Sequence, residues 1–209
     1  MNETLPLVIT ISREIGSGGA YIGHKLAEDL DILYFDREII VKAAEKLNVY
    51  ARDVASCDEK KQSFWTSIKG SFSDLNTNQY IPPIASYPSF SEVYEAQSEA
   101  IKNLAKEQSS VIIGRGGFHV LKDHPNHISI FLHADVHFRE KRIQDLYSVT
   151  EHKAKRIIET TDQQRKAYIK KLTGQDMYNT LLYDLSIDTG RLGFEESVKL
   201  ILNLIKIKY

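Results

Sequence analysis

The chain has 209 residues, of which 42% are apolar and 26% charged, as in an ordinary globular protein with a sizeable core. A formal net charge of −1 gives no indication of a nucleic-acid or membrane surface, and no apolar run approaches the length of a membrane span. Cys57 is the only cysteine, which excludes an internal disulfide. Because the first residues also lack a signal-peptide pattern, we expect a cytoplasmic protein.

The stretch from Leu7 to Leu30 predicts a buried strand, a glycine-rich turn and an amphipathic helix, in that order. The strand carries the apolar side chains of Leu7, Val8, Ile9 and Ile11 and is rich in β-branched residues, which is typical of a buried parallel strand. Residues 16–19, with the sequence Gly-Ser-Gly-Gly, form the turn. The apolar side chains that follow recur at the spacing of one helix face: Ile22, Leu26, Ala27 and Leu30.

The glycine-rich turn has the composition of a phosphate-binding loop. Glycines let backbone N–H groups approach an anion, and the N-terminus of the following helix adds partial positive charge. The pattern G-x-x-x-x-G-K-[ST] has lysine and then serine or threonine after its last glycine. This chain has Gly19 and Ala20 at those places. The stretch alone leaves two interpretations open, a phosphate site without its lysine and a tight turn without a ligand.

The rest of the chain alternates strands with helices. Further strands are predicted over residues 32–35, 111–113, 128–132 and 185–188. Helices are predicted after Asp36, over 91–108, from Asp135, over 148–172 and from Phe194. Ser148 and Glu151 have the spacing of a capping box, which places the start of the long helix at Ser148. This alternation predicts an α/β fold around a parallel sheet.

A change in composition separates residues 56–90 from the rest of the chain. They are rich in Ser, Asn and Pro, but interleaved aromatic side chains argue against plain disorder. We predict one domain over residues 1–209, with an inserted, partly helical lobe at 50–95. The region 148–180 carries arginines on helices, and we expect it to form a lid that closes over the site.

Arginines follow the predicted strands where a phosphate group would need them. Ligands of open parallel sheets bind at the carboxyl ends of the strands, and the planar fork of arginine binds two phosphate oxygens at once. Arg115 lies in a glycine-flanked turn at a strand end. Arg139 and Arg142 share one helix face, as do Asp162 and Arg165. The alternatives are solvated helix faces for these four, and for Arg115 a pairing with a carboxylate at the core edge.

Together these features resemble the cytidylate-kinase-like branch of the P-loop nucleoside-monophosphate kinases. The segments that carry the resemblance are ITISREIGSGG, YFDREII, VIIGRGG, the helix with Arg139 and Arg142, TDQQR at 161–165 and YDLSIDTGRLGFEESVKLI. The resemblance implies a three-layer P-loop NTPase-like fold, in which helices flank a five-stranded parallel sheet and add an insertion and a lid. It also implies a kinase that uses ATP and Mg²⁺.

The resemblance assigns roles to residues of this chain. The donor phosphates would be held by the turn made of Gly16, Ser17, Gly18, Gly19 and Ala20. The acceptor would face Asp36 and Arg115. The catalytic and lid side chains would be Arg139, Arg142, Asp162 and Arg165, and the turn at 188–190 would lie near the donor base.

The missing lysine has a cost that can be estimated. A hydrogen bond to a charged group contributes roughly 1.5–3 kcal/mol, and each ~1.4 kcal/mol is about tenfold in rate. An unreplaced loss would leave a slow enzyme or a nucleotide binder. Arg13, which we expect in the turn before the glycines, or a lid arginine could supply the charge. Because Ala20 has no hydroxyl, Mg²⁺ would rely on phosphate oxygens, water and either Ser17 or Asp36.

Three hypotheses follow. The first is a kinase that transfers the γ-phosphoryl group of ATP to a CMP- or dCMP-like nucleoside monophosphate or a similar small acceptor. The second is a regulatory nucleotide-binding module without catalysis, which Gly19 and Ala20 favour. The third is a kinase of a non-nucleotide acceptor. The expected partners are small-molecule nucleotides rather than nucleic acid or membrane, and a homo-oligomer is left open. The histidines lack the spacing of a metal site, so we expect none.

Overall fold

The computed structural model describes residues 5–36, 40 and 91–208, and of residues 91–93 only the backbone. Two predictions therefore lie outside the described residues. These are the helix after Asp36, of which only Ile40 is described, and nearly all of the insertion at 50–95.

The described residues form strands and helices in alternation. The strands are β1 (Val8–Arg13), β2 (Leu33–Phe35), β3 (Ser110–Ile113), β4 (His127–His133) and β5 (Leu185–Asp188). The helices are α1 (Gly19–Asp29), α2 (Ser91–Glu107), α3 (Gly117–Val120), α4 (Val136–Tyr147), α5 (Glu151–Thr173), α6 (Thr189–Leu192) and α7 (Phe194–Lys208). A 3-10 turn, Thr180–Leu182, precedes β5.

The five strands form one parallel sheet in the order β2-β3-β1-β4-β5, which confirms the predicted sheet. The central strand is β1, which pairs with β3 from Val8 to Ile11 and with β4 from Val8 to Arg13. Because the strands run in one direction, the segments that follow β1, β3 and β4 meet at the same edge of the sheet. This edge carries the candidate site.

Helices cover both faces of the sheet, so the fold has three layers. Along β1, Ile9 and Ile11 belong to the cluster that packs on α1 and α7, whereas Val8 belongs to the cluster that packs on α2. The alternation follows from the two-residue period of a strand, which sends successive side chains to opposite faces. Among the residues that the structure describes, no helix has the length and apolar character that crossing a membrane requires.

Two local predictions are corrected by the structure. Arg13 is the last residue of β1, paired with Leu132, and not part of the turn. The predicted capping box at Ser148 is wrong, because Ser148 ends α4 with a φ of +50° and an N-cap requires extended backbone. The N-cap of α5 is Thr150, whose Oγ1 accepts a hydrogen bond from the backbone N–H of Lys153 at 3.4 Å.

Candidate functional site

The glycine-rich turn between β1 and α1 is shaped by the side chains that pack against it. Gly16 and Gly18 have φ values of +83° and +81°, in the left-handed region that favours glycine. A Cβ atom on Gly16 would lie 3.0 Å from the Cβ of Arg139, and one on Gly18 would overlap the ring of Phe194. The backbone and packing of the turn therefore require these glycines whether or not an anion binds.

Replacing Gly18 with alanine is expected to cost more stability than replacing Gly174, another left-handed glycine. A Cβ on Gly174 meets nothing within 4 Å, so the expected loss is the backbone strain alone, about 1 kcal/mol. At Gly18 the overlap with Phe194 adds about 1–3 kcal/mol. Urea unfolding of both variants measures the two free energies of unfolding. Equal losses would contradict the packing described for the turn.

Ser17 faces the protein interior. Its side chain is fully buried, and its hydroxyl shares its one hydrogen between the carbonyl oxygens of Glu14 at 2.9 Å and Leu132 at 3.2 Å. The carbonyl oxygen of Ser17 in turn accepts a hydrogen bond from the Thr189 hydroxyl at 2.9 Å. Since Ser17 is buried and position 20, where the usual pattern has serine or threonine, is alanine, no side chain of the turn offers an exposed hydroxyl to a metal ion.

A buried ion pair lies beneath the turn and holds its backbone. The Asp162 carboxylate accepts a hydrogen bond from the N–H of Ile15 at 2.9 Å and an ion-pair bond from Nη1 of Arg139 at 2.5 Å. The same guanidinium donates through Nε to the carbonyl oxygen of Ala134 at 3.0 Å. Asp162 and Arg139 are only 8% and 7% exposed. In this arrangement the two side chains position the turn and do not face the cleft beside it.

Glu14 joins this buried pair, although nothing in the sequence pattern singles it out. Its carboxylate lies 3.4 Å from Nε of Arg139 and accepts a hydrogen bond from the N–H of Ala134 at 3.3 Å. Burial and the nearby Glu14 carboxylate, which accepts a hydrogen bond from the Tyr178 hydroxyl, raise the pKa of Tyr178. Two carboxylates thus balance the positive charge of Arg139 where α4 begins.

Three arginines line one cleft next to the turn, at the carboxyl ends of β1 and β3. They are Arg13, Arg115 and Arg165, and the rings of Tyr168 and Tyr183 complete the wall. The cleft measures about 470 Å³, including the solvent at its mouth. None of the described residues that line it is acidic, so the lining carries an excess of positive charge, although Arg165 pairs with Asp162 at 3.7 Å. This is the composition of a binding site for an anionic group.

Arg115 is placed by an unusual backbone turn. Gly114, Arg115 and Gly116 have φ values of +75°, +55° and +66°, three successive residues in the left-handed region. For the non-glycine residue this conformation costs about 1–2 kcal/mol. The Arg115 side chain is 7% exposed, and its guanidinium lies 5.8 Å from the centre of the Tyr168 ring. Backbone strain of this kind is concentrated at functional sites in proteins.

Arg142 lies apart from the cleft. Its guanidinium stacks 4.4 Å from the centre of the Phe194 ring, and Phe194 in turn contacts Tyr21 with ring centres 5.7 Å apart. Partial burial lowers the pKa of Arg142 below its usual value. Five arginines were named from the sequence. Arg13, Arg115 and Arg165 meet in the cleft, Arg139 is buried beneath the turn, and Arg142 packs against Phe194 on α7.

Asp36 follows β2 at the same edge of the sheet. It is 6% exposed, and its carbonyl oxygen accepts a hydrogen bond from the N–H of Ile40 at 3.1 Å. Burial is the main cause of the raised pKa of Tyr34. The negative charge of Asp36 raises this pKa further, and the positive charge of Arg13 lowers it. No group of three or more His, Cys, Asp or Glu residues within the described ranges could hold a metal ion.

The fold and the cleft together define a class of protein. A five-stranded parallel sheet, a glycine-rich turn after its central strand and an arginine-lined cleft beside that turn are the features of a P-loop kinase fold. The model of the cytidylate kinase-like family matches residues 8–191, and the chain belongs to this family. No curated protein matches the chain.

Solved structures share this fold at low sequence identity. An uncharacterized protein from Eubacterium ventriosum ATCC 27560 is 23% identical with a TM-score of 0.71, over 96% of this chain and 98% of that one. The YorR protein from Bacillus subtilis, in complex with phosphorylated GDP, is 13% identical with a TM-score of 0.50, over 96% of each chain. Shikimate kinase from Bacteroides thetaiotaomicron is 12% identical with a TM-score of 0.49, over 96% and 98%. These structures show the fold, and membership of the family supports a phosphotransferase.

Proposed function

We propose that the protein is a nucleotide kinase that transfers the γ-phosphoryl group of ATP to a nucleoside monophosphate, CMP- or dCMP-like, or to a similar small acceptor. The observation that carries the proposal is the cleft with Arg13, Arg115 and Arg165 at the carboxyl ends of β1 and β3. It supplies positive charge next to a glycine-rich turn whose backbone N–H groups begin a helix. Membership of the cytidylate kinase-like family supports the same reaction class.

The residues of this cleft suit phosphoryl transfer because that reaction needs positioning and positive charge more than covalent chemistry. An oxygen of the acceptor phosphate forms a bond to the γ-phosphorus, and the bond to the bridging oxygen of ADP breaks, with its electron pair leaving on ADP. The attacking oxygen is already anionic, so no general base is needed. Arg115 and Arg165 bind the acceptor phosphate in this proposal, and the turn binds the donor phosphates.

Magnesium enters this proposal with the nucleotide. Ala20 has no hydroxyl and the Ser17 hydroxyl is committed to two carbonyl oxygens, so the side chains of the turn do not fit a protein-bound Mg²⁺. Phosphate oxygens and water are the ligands that Mg²⁺ commonly keeps in kinases. The positive charge that this chain itself supplies comes from arginine.

The test is a panel assay with the purified full chain. We expect ADP to form from Mg·ATP in the presence of at least one of CMP, dCMP, UMP, AMP and GMP, measured by a coupled assay. The same reactions without acceptor give the background hydrolysis. If none of the five acceptors raises the rate above that background, the nucleoside-monophosphate assignment is wrong.

A nucleotide-binding module without catalysis is the second candidate, and Gly19 and Ala20 are the observations that favour it. Isothermal titration calorimetry distinguishes it from the kinase. Micromolar binding of ATP or of a monophosphate together with no ADP formation would support the module. Binding of both nucleotides with turnover supports the kinase.

A further inference from the structure

The positive charge that is missing at position 19 is present six residues earlier in the chain. When the last glycine of the pattern G-x-x-x-x-G-K-[ST] is placed on Gly18, its first glycine falls on Arg13 and its lysine on Gly19. The pattern thus has glycine and then lysine where this chain has arginine and then glycine. Compared with the pattern, the small residue and the long cationic residue have changed places between positions 13 and 19.

The side chain of Arg13 occupies the space that a side chain at position 19 would enter. A Cβ atom on Gly19 would lie 2.8 Å from Cγ of Arg13, 3.2 Å from its Cβ and 3.4 Å from its Cδ. A carbon–carbon approach of 2.8 Å is well inside van der Waals contact, which begins near 3.5 Å. A lysine at position 19 and the present side chain of Arg13 therefore exclude each other.

A second glycine makes room for the other end of Arg13. A Cβ on Gly114 would overlap Nη1 of Arg13, so the guanidinium rests against the backbone at the end of β3. The backbone of Arg13 is fixed as well, because its residue pairs with β4 and its carbonyl oxygen accepts a hydrogen bond from Nη1 of Arg165 at 3.0 Å. The arginine thus reaches from the glycine-rich turn, along Gly19, to the wall of the cleft.

We propose that Arg13 is the phosphate-binding residue that replaces the lysine of the usual loop, and that Gly19 and Gly114 form the slot for its side chain. This inference rests on the proposed kinase function and adds the residue that supplies its missing charge. An arginine in this slot offers a planar fork to two phosphate oxygens, whereas a lysine offers a single point charge. The glycine at position 19 is then a consequence of the arginine at position 13.

Exchanging the two residues tests the inference. Arg13→Gln keeps the stem of the side chain against Gly19 but removes the charge, and we expect kcat to fall roughly 100-fold. We expect the kcat of the single variant Gly19→Lys to fall by a similar factor, because the new side chain meets the stem of Arg13. The double variant Arg13→Gly/Gly19→Lys restores the usual pattern, and we expect its kcat to lie within roughly tenfold of the original, well above either single variant.

Two controls keep the outcomes separate. Lys102→Ala removes an exposed lysine from α2, outside the cleft and outside the region 148–180, and is expected to keep full activity. Thermal unfolding of every variant shows which ones are folded, and calorimetry gives their affinity for ATP. An original protein without activity on any acceptor contradicts the proposed function. An active original protein with an equally active Arg13→Gln variant, or with a double variant no better than Gly19→Lys, overturns the role of Arg13.

Discussion

Replacing Asp162 with alanine is expected to lower the free energy of unfolding by about 3–5 kcal/mol, because it leaves the buried guanidinium of Arg139 without its closest carboxylate. The same substitution removes the acceptor for the N–H of Ile15. The turn then loses the bond that holds its first residues, so activity falls along with stability. Urea unfolding and the panel assay measure the two effects.

A neighbouring aspartate provides the matched control. Asp176 pairs with Lys166 at 2.9 Å, but both side chains are about half exposed. Surface pairs of this kind contribute about 0–1 kcal/mol, so Asp176→Ala is expected to remain close to the original protein. The loss of unfolding free energy in Asp162→Asn is expected to lie between those of the two alanine variants. The amide oxygen can still accept a hydrogen bond from the N–H of Ile15, but the side chain carries no charge. A loss at Asp162 no larger than at Asp176 would show that the buried pair does not hold the turn.

The second large effect is expected from Arg115→Gly, which should remove activity without removing stability. Glycine adopts the left-handed backbone of this position freely, so relief of about 1–2 kcal/mol of strain offsets the lost contacts of the side chain. In the proposed kinase the same change removes a charged fork from the acceptor phosphate. We expect kcat/KM for the acceptor to fall about 100-fold or more, while the affinity for ATP changes little.

Measuring both nucleotides makes this prediction specific. Acceptor and ATP titrations of the Arg115→Gly variant separate the two sites, and its melting temperature is expected within a few degrees of the original. Lys102→Ala, in an exposed position on α2, is the control for the loss of a positive charge as such. A glycine variant with unchanged kcat/KM for the acceptor would remove Arg115 from the acceptor site. A variant that weakens ATP binding instead would place it on the donor side.

The sequence predicts the sheet well because each strand is a short apolar run between clear breaks. The burial of Ile9, Ile11, Ile128 and Ile130 can be predicted from that local pattern alone. The position of Arg115 in a tight turn could also be predicted, because glycines on both sides of it indicate such a turn at the end of a strand. These features are encoded within a few consecutive residues.

The contacts beneath the turn could not be predicted in this way. Asp162 and Arg165 have helical spacing, and their charged groups lie 3.7 Å apart. The principal partners of Asp162 are Arg139 and the backbone of Ile15, which are 23 and 147 residues away in the chain. A pattern along one helix shows which side chains share a face but not what that face meets. For the same reason the slot around Arg13 becomes visible only when β1, the turn and β3 are assembled.

Side chains from other parts of the protein hold the backbone of the glycine-rich turn in its shape. Asp162 holds the N–H of Ile15, Arg165 holds the carbonyl oxygen of Arg13, and Thr189 holds the carbonyl oxygen of Ser17. The loss of conformational entropy in ordering this loop is therefore included in the free energy of folding. It is not subtracted again when an anion arrives, because a preorganised site avoids that part of the cost of binding.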